Sequence, residues 1–240
     1  MAKTARLGRA AVGTLLPAMP GLGKHKSSPR MRVSATRLEQ IRKIGCHLLY
    51  RYGYAGMTMR EIAASLRIKA ASLYYHFPSK QDILFDLMRS TALELIEGLQ
   101  QITDSEMAPE EQLDAAIRWH VLFHTQKREE SFVSHSELRS LERQNLQAIL
   151  KLRREYERLF DTILKRALGT GAFQVEDISV ARNCILPMCT APAGWFSPRG
   201  RLSAEQVAER IRNLVWTALA PRNGNPSLVP APDPANSPKK

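Results

Sequence analysis

From Thr36 to Tyr52 apolar residues return at helical intervals: Leu38, Ile41, Ile44, Leu48, Leu49 and Tyr52. That spacing predicts an amphipathic helix with one buried face. Gly53 follows, where a left-handed cap costs little. A second, shorter pattern opens at Thr58. Its hydroxyl and the carboxylate of Glu61, three residues on, form a capping box over the first free N–H groups. Ile62, Ala63 and Leu66 supply the inward side. The pattern stops at Arg67-Ile68 and restarts over Lys69–Tyr75 with Leu73 facing in. So short a helix is marginal alone and must be held by packing. Pro78 ends it, and Ser79 caps the next helix with Asp82 at the third position.

From Ser79 a longer helix is predicted to about Thr103, with Ile83, Leu84, Leu87, Met88, Leu95, Ile96 and Leu99 inward. Pro109 suits a first helical turn. It opens a helix carrying Leu113, Ala116, Ile117, His120, Phe123 and His124 on one face. Ser131–Leu141 reads as a short helical or irregular piece. Residues 142–168 make the longest clear helix, ended by Gly169 and Gly171. Asp177 to about Met188 is helical again, with Pro187 and Pro192 interrupting its apolar face. Ser203 and Gln206 form a further capping box ahead of a helix to Ala218. No stretch carries a strand pattern, so the fold class is all-α.

Charge changes the picture at one end only. The net charge is +12. Residues 31–80 hold nine Lys or Arg against Glu39 and Glu61, and residues 1–30 hold six basic groups and no acid. The remaining 160 residues nearly balance. A basic module joined to a neutral body is the footprint of a polyanion binder. The outward face of the short helix (Lys69, Ala70, Ser72, Tyr74, Tyr75) is small, hydroxylic, aromatic and basic, which suits a nucleic-acid groove. Residues 1–33 read as a disordered basic arm, and 221–240, with six prolines, as a disordered tail. Between them lie a DNA-binding unit over 34–82 and a helical body over 83–220.

No run of residues is long and apolar enough for a bilayer, so no membrane partner is expected. Pro17 and Pro20 break the one apolar segment that follows N-terminal basic residues. Three cysteines without a CxxC pair fit a reducing, cytoplasmic setting. His120 and His124 have metal-capable spacing, but packing is the commoner use of such a pair and no metal site is assigned. No nucleophile–base pair, P-loop or GxGxxG motif supports an enzyme, and no cofactor is expected.

The stretch from Thr36 to Leu84 resembles the N-terminal DNA-binding domain of the TetR family of transcriptional regulators. The match is carried by Thr58, Ile62, Ala63 and the run Leu73-Tyr74-Tyr75-His76-Phe77 with Ser79-Lys80. The resemblance implies a three-helix helix-turn-helix unit and a homodimer on a palindromic operator, each subunit placing its second motif helix in a major groove. By position, Thr58, Tyr75 and Lys80 fall to phosphates. Arg60, Lys69, Ala70, Ser72, Tyr74 and His76 fall at or near base edges. Arg67 departs from the glycine often found in the turn, which is tolerable if the turn avoids positive φ.

More loosely, SFVSHSELRSL, LRREYERLF and WFSPRGRLSAEQVA resemble the TetR-type regulators of fatty-acid and steroid breakdown, several of which respond to acyl-CoA thioesters. Pro187, Thr190, Ala191 and Pro192 depart from that pattern. An acyl-CoA effector needs an apolar slot and cations for its phosphates. Trp119, Phe123, Phe132, Leu186 and Met188 are candidates for the slot, and Arg139, Arg153 and Arg154 for the phosphates. The dimer is expected through helices at about 177–190 and 203–219. The function so read is a DNA-binding repressor released by a small effector. The alternatives are a non-specific architectural nucleic-acid binder and an acyl-CoA-binding enzyme.

Overall fold

A computed structural model describes residues 29–221, with side chains from Arg37. The arm to residue 28 and most of the proline-rich tail lie outside the described residues. Ten α-helices and one 3₁₀ turn follow in order among them: α1 (Pro29–Gly56), α2 (Met59–Ser65), α3 (Ala70–His76), α4 (Lys80–Thr103), α5 (Pro109–Gln126), α6 (Arg128–Ser136), the 3₁₀ turn Leu138–Ser140, α7 (Arg143–Gly169), α8 (Ile178–Thr190), α9 (Pro192–Trp195) and α10 (Ala204–Leu219).

Local chemistry sets most boundaries. Thr58 and Glu61 form the capping box ahead of α2, Ser79 accepts the Asp82 N–H ahead of α4, and Ser203 with Gln206 opens α10. Pro109 takes the first turn of α5. Two expectations need correction. Gly53, at φ 67, breaks α1 where the first amphipathic run was expected to end, but Tyr52 beside it is 56% exposed rather than core. Arg67 does adopt positive φ, at 53°. As its predicted range implies, α8 runs through Pro187, and it continues to Thr190. The missing N–H would have met the carbonyl of Asn183. Both residues are exposed, which leaves that carbonyl within reach of solvent.

Two clusters of buried side chains form. The larger lies in the body, where α5 lies against α10, α7 and α4, and it includes Leu99, Ile117, Phe160, Ile163 and Val215. The smaller sits under the N-terminal helices, around Ile41, Leu49, Ile62, Leu73 and Ile83. Val133, Leu141 and Ile149, which come from the body, complete this second cluster. The N-terminal unit is therefore seated on α6 and α7 by shared apolar surface. Burial of that kind stabilises by about 2 kcal/mol per large side chain. The half-exposed Arg42–Asp86 pair (2.5 Å) that also ties α1 to α4 adds less than about 1 kcal/mol.

Within the body, α4 and α5 approach closely at one glycine. A Cβ on Gly98 would lie 2.2 Å from the Trp119 ring, and the indole donates to the Leu95 carbonyl at 3.2 Å. The indole thus lies flat in a notch that only glycine leaves open.

Candidate nucleic-acid interface

The turn between α2 and α3 has a specific hydrogen-bond pattern. The Arg67 N–H reaches the Ala64 carbonyl and the Ile68 N–H reaches Ala63, both at 3.0 Å. That double closure is a Schellman motif, and it places the residue after the cap in the left-handed region. Arg67 occupies that position. The turn directs α3 so that Leu73 is fully buried and Phe77 nearly so. The rest of the short helix is left to solvent. Tyr75 is 86% exposed and Tyr74 49%. Ser72, Lys69, Arg60 and Thr58 are exposed too, while Ala70 and His76 are half-buried. Tyr75 and His76 meet edge to face, with ring centroids 5.3 Å apart.

Six of the nine predicted contact residues are thus exposed, and among the described residues none of Arg60, Arg67 and Lys69 has an ion-pair partner. Two of the nine are already engaged. The Thr58 hydroxyl donates to Glu61 at 2.7 Å while accepting from its N–H, so its proton is spent on the cap. Lys80 turns toward α1. Its ammonium donates to the carbonyls of Tyr54 (2.9 Å) and Met57 (3.4 Å) and lies 4.3 Å from the Tyr54 ring centre. It closes the C-terminal carbonyls of α1, a favourable place for a cation.

The interface is wired to the body at its rear. Gln81 is buried and holds three partners: its amide donates to Tyr54 Oη (2.9 Å) and to the Ser140 carbonyl (3.0 Å), and its oxygen accepts the Glu142 N–H (3.0 Å). Alongside, His47 of α1 meets Glu129 of α6 at 3.1 Å, and Tyr50 meets Phe132 edge to face at 5.1 Å. A sequence pattern gives no sign of Gln81, because its partners lie 27 to 61 positions away.

The predicted effector residues are not gathered into one place. Phe123 is buried beside Trp119 (5.6 Å between centroids), and Leu186 and Met188 pack at the edge of the body core. Phe132 instead lies 43% exposed against Tyr50, at the junction with the N-terminal unit. Arg139 and Arg154 are exposed; Arg153 is half-buried and donates to the Ser134 carbonyl at 2.6 Å.

Sequence reasoning missed a buried polar strip beneath α6. Thr190 donates its only proton to the Leu186 carbonyl (2.9 Å), so its oxygen accepts from His120 Nε2 (2.8 Å). Burial holds the His120 pKa far below its ordinary value, so the ring is neutral and Nδ1 is bare. Nδ1 then accepts from Tyr156 Oη at 2.7 Å. Both nitrogens of His120 are used within the protein, which removes it as a metal ligand in this arrangement. The HxxxH spacing on α5 was visible; its partners on α7 and α8 were not.

A three-helix unit with a buried Leu73, an exposed basic recognition helix and a neutral helical body defines a helix-turn-helix DNA-binding regulator. Comparison with known proteins gives the family. Residues 41–87 match the model of bacterial regulatory proteins of the tetR family, and residues 106–219 match the tetracyclin repressor-like C-terminal domain. The chain belongs to the TetR family of transcriptional regulators. It is 23% identical over 193 residues to the HTH-type transcriptional repressor KstR2 of Mycolicibacterium smegmatis, covering 80% of this chain and 94% of that one. The structure of AibR in complex with isovaleryl coenzyme A and operator DNA aligns with a TM-score of 0.69 at 27% identity, over 75% of this chain and 98% of AibR. KstR2 of Mycobacterium tuberculosis shares the fold, with a TM-score of 0.72 at 21% identity over 77% and 95% of the two chains. No helix among the described residues is long and apolar enough to cross a membrane.

Proposed function

We propose that the protein is a homodimeric cytoplasmic repressor whose hold on a palindromic operator is loosened by an acyl-CoA effector bound in the helical body. The observation that carries this reading is the junction at Gln81 and α6. A side chain with three hydrogen bonds joins the operator-facing unit to the 3₁₀ turn and α7. A shift of α6 in the body therefore reaches α1 and α4 and alters the spacing of paired recognition helices. Release requires only that the effector bind the shifted state more tightly. AibR supports the ligand class, since it was solved with both isovaleryl coenzyme A and operator DNA.

The dimer reading rests on α8 and α10. Val180 and Leu214 are each 60% exposed on these helices, although their other faces enter the body core. Exposed apolar side chains on two adjacent helices suit a four-helix bundle with a second copy. Fluorescence anisotropy on DNA from upstream of the protein's own gene tests the whole reading. Isovaleryl-CoA or a longer acyl-CoA should raise the operator Kd at least about tenfold, with free CoA inactive. An operator Kd indifferent to every acyl-CoA tried contradicts it.

A further inference from the structure

Arg67 costs the fold stability without joining any interaction that holds it. Its φ of 53° lies in the left-handed region, where a Cβ crowds the following carbonyl. A glycine takes the same angle without that clash. The backbone is fixed there by its neighbours. Leu66 and Ile68 both pack against the N-terminal core, and the two 3.0 Å closures to Ala64 and Ala63 hold the turn between them. The side chain of Arg67 is left outside. It is exposed, and among the described residues it has neither an ion-pair partner nor an aromatic ring beneath it. Arg42, Arg182 and Arg212, by contrast, each hold a carboxylate.

Strain that the surroundings hold in place points to a use beyond the fold. The position of Arg67 says which. It precedes Lys69, the cap of α3, by two residues, so the two Cα atoms lie within about 7.6 Å of each other. No acidic side chain occurs from residue 62 to residue 81, so nothing on this stretch competes for the guanidinium. We propose that Arg67 is a further operator contact, a guanidinium that grips a backbone phosphate at the edge of the groove that α3 enters. The inference rests on the reading of this face as the DNA-binding one. A phosphate follows from the place of the residue: base edges face the side chains of α3 itself, whereas the turn lies just before its first residue. A planar, permanently charged fork suits two phosphate oxygens. A glycine in this turn would relieve the strain and lose the contact. In a homodimer the contact occurs twice, once beside each recognition helix.

The test is fluorescence anisotropy of the full chain across a salt series, on DNA from upstream of its own gene and on a scrambled duplex. Arg67→Gly should raise the melting temperature and yet raise the operator Kd at least about tenfold. The slope of log K against log salt should fall by about 2 for the dimer, close to one for each phosphate released. Arg67→Asn, neutral but tolerant of positive φ, should give the same slope as Arg67→Gly. Arg67→Lys should restore the parent's slope, since an ammonium also neutralises a phosphate, while recovering only part of the affinity. The slope separates a lost contact from a loosened turn, because loosening weakens binding without changing the number of ions released. The loss should appear on the scrambled duplex too, since phosphates carry no sequence. A loss confined to the operator overturns the phosphate assignment. The parent's Kd and slope in both Arg67→Gly and Arg67→Asn overturn the inference, and the DNA-binding face still stands if Arg60→Ala with Lys69→Ala weakens binding. If that double variant also binds as the parent does, the face falls and the inference with it.

Discussion

Leu73 is wholly buried while its neighbours Ser72 and Tyr74 stand in solvent, and that single inward contact orients the recognition helix. A seven-residue helix has too little hydrogen bonding of its own to persist without it. Leu73→Ala should therefore cost about 3 kcal/mol of stability and abolish operator binding before the body unfolds, as read by denaturant melts beside anisotropy. Arg67 works the other way. A non-glycine residue at φ 53 costs about 1 kcal/mol, so Arg67→Gly should raise the melting temperature. Titration of the buried histidines gives a third residue-scale expectation. Burial pushes His124 down to about 3 and His120 far below its usual value, and both regain a pKa near 6.5 on unfolding. Above about pH 6.5 neither state binds the proton and the fold loses nothing. As pH falls from there toward the folded pKa, the unfolded chain takes up protons that the fold refuses. Each histidine then removes about 1.4 kcal/mol of stability per pH unit. Melting temperature should fall steeply from pH 6.5 to 4.5, and His124→Gln should flatten that fall.

At the scale of elements, α6 and the 3₁₀ turn behind it are the bridge between the two halves. Gln81→Ala leaves the Glu142 N–H and the Ser140 carbonyl without their partner, a loss of about 1–3 kcal/mol. Its sharper signature is functional: the variant should still bind operator, yet show a smaller effector-induced rise in Kd than the parent. A full effector response in Gln81→Ala would place the coupling elsewhere. Gly53 is tied to the same bridge, because its φ of 67 kinks α1 where Glu137 Oε1 would lie 3.1 Å from an added Cβ. Elsewhere in the body, α8 and α10 carry the proposed dimer seam. Val180→Glu with Leu214→Glu should give a folded monomer by equilibrium sedimentation, with operator affinity reduced because the second half-site is lost.

Across the whole molecule, the parts legible in the sequence were those set by short offsets. Capping boxes at Thr58 and Ser203 and the inward Leu73 depend on residues within a few positions of one another, and the charge partition needs only a count along the chain. Features that depend on distant partners were not legible. Arg67 gives no sign of positive φ, because glycine is the residue that ordinarily marks it. Tyr52 fits the helical interval, yet it stands in solvent because nothing from another element among the described residues covers that side of the last turn before Gly53. Trp119 and Phe132 carry the composition of a ligand slot, yet one lies on Gly98 and the other on Tyr50. The central claim is that the basic face from Thr58 to Lys80 holds DNA, and the salt dependence of operator binding tests it most directly. Plots of log K against log salt should be linear. Arg60→Ala combined with Lys69→Ala removes two positive charges from this face and should weaken binding and reduce the slope. A double variant with the parent's affinity and the parent's slope would contradict the assignment of this face.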